Sequence, residues 1–126
     1  MTPERTREVM LAYLEGHDVG RLAENAVFTI MATGQESRGL EAINQMFHYF
    51  YEEAFDATYE VKHLIIAAGQ AVCEMELVGR QLMEVSGIPP TDKEVRVPFC
   101  VVYNLANDRI TQARIYFETD ALRQSS

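Results

Sequence analysis

Basic residues are scarce. Eleven lysines and arginines stand against nineteen aspartates and glutamates, a formal charge of −8. A surface of that sign repels phosphate backbones and anionic headgroups, which argues against nucleic-acid binding and against docking on membranes. Cysteine is rarer still. Cys73 and Cys100 form no CxxC pair and have no histidine at metal-ligand spacing. Two reduced core thiols are expected rather than a disulfide. No apolar run approaches the length of a membrane span. The opening Met-Thr-Pro-Glu-Arg-Thr-Arg-Glu is charged and lacks a signal-peptide core, so a cytoplasmic location is expected. Glycine-rich phosphate loops, a nucleophile elbow and a catalytic Cys–His spacing are also missing.

What is present is ordinary globular material. Hydrophobic residues are 48% of the chain, enough to offset the entropy lost on folding. The length of 126 residues suits one domain; two would each be short of core.

Thr2-Pro3-Glu4 opens a helix. Thr2 caps free amides, Pro3 suits the first helical position, and Glu4 meets the positive helix end. Val9, Met10, Tyr13 and Leu14 recur on one face, and Gly16 ends the helix. Asp18 caps a predicted second helix running to about Asn25. Residues 26–33 read as a strand and 34–39 as a polar connection. A third helix is predicted from about Leu40 to Phe55, where Ile43, Met46, Phe47, Phe50 and Ala54 form an amphipathic stripe. Strand patterns follow at 58–67, 71–84, 94–105 and 109–118. They are separated by Ala68-Gly69-Gln70, by the proline-bearing segment 86–93 and by the turn Asn107-Asp108. Helices followed by an antiparallel meander describe an α+β domain.

This order of elements resembles the nuclear transport factor 2-like fold. There, three N-terminal helices pack on the concave side of a curved, mainly antiparallel sheet and leave a conical pocket. The second half is similar to SnoaL-like polyketide cyclases. The run from Val61 to Val72 looks like their strand-turn-strand. Gly87-Ile88-Pro89-Pro90-Thr91-Asp92-Lys93 matches their Gly-Ile-Pro-Pro-Thr-Gly-Lys loop, with Asp92 in place of glycine. Asp108-Arg109-Ile110 matches their turn into the last strand, and Ala121-Leu122-Arg123-Gln124 their C-terminal tail. The resemblance implies a single SnoaL-like domain over 1–126. It also implies a cofactor-independent cyclase or isomerase acting by acid–base chemistry on an apolar cyclic or polyketide-like molecule. The alternative is a non-catalytic ligand-binding domain, because one fold hosts many functions.

In SnoaL-like cyclases an aspartate near the end of the last strand acts as acid or base, and Glu118 takes that position here. Period-two alternation sets Ile110, Gln112, Arg114, Tyr116 and Glu118 on one face. If that face lines the cone, desolvation raises the Glu118 pKa and suits it to proton transfer, with Arg114 opposing the shift. The other reading is a solvated Arg–Glu face. Asp120 is a rival acid. Tyr13, Tyr116 and His63 are candidate donors to an enolate oxygen. Phe28, Phe47, Phe50, Phe99 and Val101 are candidate pocket walls. The two acids of ketosteroid isomerases would fall at Ile30-Met31-Ala32 and near Phe99-Cys100, where no acid stands. The second carboxylate and arginine of limonene epoxide hydrolases would fall in Val97–Tyr103, which has neither.

His17 reads as a solvated turn residue, and His48 as part of a polar helix face with Asn44 and Glu52. Glu74 and Glu76 share a strand face, as an acid–base pair or as a solvated rim. No metal or organic cofactor is called for. The 94–105 strand is apolar on both faces: Val95, Val97, Phe99, Val101 and Tyr103 on one, Cys100 and Val102 on the other. The second face needs cover, and a homodimer is the expected source. The double-proline loop is expected at the sheet's edge or the dimer rim.

Overall fold

Helix α1 (Pro3–Leu14) forms as its caps direct, with Thr2 Oγ1 accepting from the Arg5 amide at 3.1 Å. Its inner face buries Val9, Met10, Tyr13 and Leu14. Thr6 is fully buried among them. Its hydroxyl donates to the Thr2 carbonyl and accepts the Gly69 amide at 3.0 Å, tying the helix to a hairpin turn. The computed structural model describes residues 1–125, with side chains through Arg123; Ser126, the end of the expected domain, lies outside the described residues.

The expected second helix does not form. Asp18 caps a single 3₁₀ turn, Val19–Arg21, and strand β1 (Leu22–Ile30) begins at once. Leu22, Ala26 and Phe28 are buried there, and residues 27–30 find backbone partners in two neighbouring strands. Two long helices therefore replace the three expected. The polar connection also acquires structure: β2 (Gln35–Arg38) pairs back on β1. Helix α2 (Leu40–His48) is shorter than its stripe suggested, because the chain widens into a π-helical turn at Tyr49–Glu53.

Four long strands follow: β3 (Phe55–Ala67), β4 (Gln70–Gln81), β5 (Glu94–Ala106) and β6 (Arg109–Phe117). A last turn, α3 (Ala121–Ser125), closes the described chain. The curved sheet has the order β2-β1-β6-β5-β4-β3. The β1–β6 pair is parallel and the other four are antiparallel. The fold is α+β with a mixed sheet.

Bulges decide which residues face inward. In β3 the register shifts between Val61 and His63. Before it Phe55, Ala57 and Tyr59 pack inward; after it Leu64 and Ile66 do. In β6 the extra residue is Thr111, which brings Ile110 and Ala113 into the same buried cluster. Where β3 and β4 cross most closely, only glycine fits: a Cβ on Gly79 would lie 2.2 Å from the Asp56 carbonyl oxygen and 2.6 Å from Ala57 Cα. Two hydrophobic clusters fill the concave side. One lies around Tyr13, Phe28 and Tyr103, the other around Phe55, Val97 and Leu122, and Phe99 packs against both.

The segment after β4 is pinned by a buried side chain. Gln81 Nε2 donates to the Met83 carbonyl at 2.9 Å and the Ile88 carbonyl at 2.7 Å. Val85 and Ile88 bridge across Ser86-Gly87, both at positive φ. Ile88 is buried while Pro89 and Pro90 stay exposed.

Candidate functional site

Between the helices and the inner face of the sheet lies a cavity of about 280 Å³. All five candidate wall residues, Phe28, Phe47, Phe50, Phe99 and Val101, line it. The π turn explains how three consecutive residues, Tyr49, Phe50 and Tyr51, all reach it: the wider turn spreads them along one wall. Residues 84–86, between Gln81 and the proline loop, supply another part of the lining.

Tyr13 and Tyr103 are the most deeply placed polar groups in the lining. Both are buried, and their rings meet edge to face at 5.8 Å. Burial pushes both hydroxyls well above the ordinary tyrosine range, and the neighbouring phenols add to the effect of burial. Burial raises Tyr51 in the same way. These phenols stay protonated at neutral pH and present O–H donors to an apolar space.

His17 was expected in solvent; the structure places it in a cage of rings. It follows Gly16 with φ 55°, a backbone turn that folds its side chain back over α1. The imidazole stacks between Tyr59 at 4.1 Å and Phe47 at 4.7 Å, with interplanar angles of 11° and 18°. Tyr13 and Tyr51 stand at 5.2 and 5.7 Å. Tyr59 fastens the turn: its hydroxyl donates to the Leu14 carbonyl and accepts the Gly16 amide at 2.9 Å. Loss of hydration lowers the His17 pKa to about 4. The local pattern Gly-His-Asp carries no sign of this, because the cage residues come from other elements.

The last strand turns its other face to the cavity. Ile115 and Phe117 line it, so Arg114 and Tyr116, one residue out of phase, point to the outer side. Glu118 lies just past β6, exposed, with its amide on the Pro98 carbonyl at 3.3 Å. It does not line the cavity, and this corrects the expected placement of the acid. The rival Asp120 is also exposed and pairs with Arg123 at 3.6 Å. His63 is exposed on the outer face opposite Glu74, because the β3 bulge reverses its phase with the inward Tyr59. Glu76 is likewise outside, held by Arg96 at 2.7 Å and lying 3.9 Å from Lys62. Of the five candidate catalytic residues, the cavity receives Tyr13 alone.

A profile of the SnoaL-like polyketide cyclase family matches residues 11–125. The chain belongs to that family. No curated protein matches this SnoaL-like chain in sequence. Among solved structures, a proposed SnoaL-like polyketide cyclase from Jannaschia sp. CCS1 superposes with a TM-score of 0.80 at 16% identity, covering 97% of this chain and 91% of its own. A phenazine biosynthesis-related protein from Pseudomonas aeruginosa gives 0.73 at 14%, covering 98% and 85%. A proposed ketosteroid isomerase from Kribbella flavida gives 0.70 at 16%, covering 91% and 78%. At these identities the likeness establishes the shared fold of this SnoaL-like protein.

Proposed function

We propose that the cavity binds a small, flat, largely apolar cyclic molecule bearing a carbonyl. Its chemistry is enolisation, leading to isomerisation or ring closure, without a cofactor. The observation that carries this is the buried Tyr13–Tyr103 pair. Two phenols held protonated in an apolar enclosure suit a developing oxyanion, where removing one donor costs roughly 10²–10³ in rate. Aromatic walls match a planar ring system. The test uses 2-naphthol as an enol mimic and 2-tetralone as a carbonyl probe. Binding of 2-naphthol that weakens in Tyr13→Phe, together with enzyme-accelerated α-proton exchange of 2-tetralone, supports the reading. Failure of both probes refutes it.

One observation favours simple binding instead: Glu84, exposed and on a loop, is the sole carboxylate side chain in the cavity lining among the described residues. A co-purified ligand identified by mass spectrometry, with 2-tetralone exchange at the buffer rate, would select that alternative.

We also infer a homodimer through the outer sheet face. Ile65, Val72 and Val102 stand in one cross-strand row there. Ile65 is 62% exposed and Tyr116 is 48% exposed. Sedimentation at micromolar concentration should give twice the mass of 14.3 kDa.

A further inference from the structure

We propose that His17 is the proton acceptor of the cavity, taking the α-proton of a bound carbonyl compound and exchanging it with solvent through a second opening. The proposal rests on the enolisation reading above and adds the base that the reading lacks.

Three observations place the role on His17. First, its ring is fixed: Tyr59 and Phe47 clamp both faces, so only the edge that bears the nitrogens is free to react. Second, those nitrogens are free. Neither makes a hydrogen bond to the protein among the described residues, and no buried polar side-chain atom there is left without a partner. Both nitrogens are therefore reachable from a water-sized space. Third, His17 lines two spaces at once. One is the apolar cavity with Tyr13 and Tyr103; the other is an outer groove bordered by Gly16, His48, Glu52 and Thr58. The imidazole stands in the wall between substrate space and solvent.

The groups facing His17 agree with this. Tyr13 on α1, Tyr51 on the π turn and Tyr59 on β3 are phenols. Across the groove Glu52 and Glu53 are engaged by His48, at 2.6 and 3.2 Å. Among the described residues no lysine or arginine lines the cavity side, where Tyr49, Tyr103 and the exposed Glu84 complete the titratable lining. With its pKa near 4, His17 is in its proton-accepting form across the neutral range. Enolisation proceeds elsewhere with bases of comparable strength when an oxyanion donor is present.

The step balances without a co-reactant. The α C–H bond breaks and its proton passes to a ring nitrogen of His17. The bonding pair forms the enolate C=C, and the oxygen takes the charge against the Tyr13 hydroxyl. The imidazolium then returns a hydron to carbon and the carbonyl re-forms. Exchange at the groove side replaces the bound proton with solvent hydron between these halves.

The experiment is NMR-monitored deuterium uptake by 2-tetralone in D₂O, with the wild type, His17→Gln, Tyr13→Phe and Glu84→Gln. His17→Gln should lose about 10²–10⁴-fold of the enzyme-dependent rate, measured with 2-naphthol titration showing that the variant still binds the ring system. The wild-type rate should be flat near neutrality and fall as pH drops through about 4. In the wild type, the His17 Cε1–H resonance should shift on adding 2-naphthol; this readout holds even if the variant folds poorly. Exchange that survives in His17→Gln, or a Cε1–H signal unmoved by bound 2-naphthol, overturns the role of His17 and leaves the carbonyl-binding reading standing. Loss confined to Glu84→Gln would give the role to that carboxylate. A wild type that neither binds 2-naphthol nor exchanges 2-tetralone overturns both.

Discussion

Acid should weaken this protein through His17 in a way one substitution can isolate. The folded-state pKa is about 4 against an ordinary 6.5, lowered by burial. The unfolded chain therefore takes up this proton first, and stability falls as pH drops through the window from 6.5 toward 4. Linkage with those two values gives a loss of about 2 kcal/mol between pH 7.5 and pH 5. The aromatic cage opposes this, since ring faces attract an imidazolium by roughly 0.5–2 kcal/mol in desolvated settings. Lost hydration exceeds that attraction if the ring is as enclosed as the stacking distances indicate. Urea unfolding of the wild type and His17→Gln at both pH values measures the balance. The difference of differences cancels the many carboxylates, which titrate alike in both proteins. A wild-type loss exceeding that of the variant by about 2 kcal/mol is expected. Equal losses would show that the cage holds the imidazolium as readily as water does, and would refute the argument from desolvation.

Gly79→Ala should destabilise by several kcal/mol, on the order of a severe core clash, because the new Cβ meets backbone 2.2 Å away; chemical denaturation reads this, and a change under about 1 kcal/mol would contradict the close approach. Glu118→Gln should leave 2-tetralone exchange and stability within about 0.5 kcal/mol of wild type, as for a surface site, whereas abolished exchange would restore that residue to the chemistry. Gln81→Leu removes the donor to the part-buried Met83 carbonyl and one of two donors to the Ile88 carbonyl, which keeps the Val85 amide at 3.1 Å, at about 0.5–1.5 kcal/mol for each bond lost; faster hydrogen exchange across 82–88 should accompany it, and unchanged protection would mean that the loop is held elsewhere.

Much of the domain was legible in the chain. The Thr2 cap, the helical stripe of α1 and the period-two strands are local signals, and each formed close to where it was read. Apolar residues at inward positions also named the cavity walls, because a wall needs only the correct face and a large side chain. The faces of β3 and β6 were another matter. A bulge adds one residue whose position depends on the partner strand, so alternation read along a single strand passes through it unbroken. His63 was thereby assigned to the wrong side of the sheet. Glu118 was drawn inward by its family position, although Phe117 beside it takes the inward phase. The stretch after Asp18 reads equally as a short helix or as a strand until β2 and β6 offer hydrogen bonds on both sides. His17 was the least legible residue of all. It is four ring contacts, from α1, α2, the π turn and β3, that turn an isolated histidine at a helix end into a dehydrated base, and those contacts exist only once the sheet has curved around the helices.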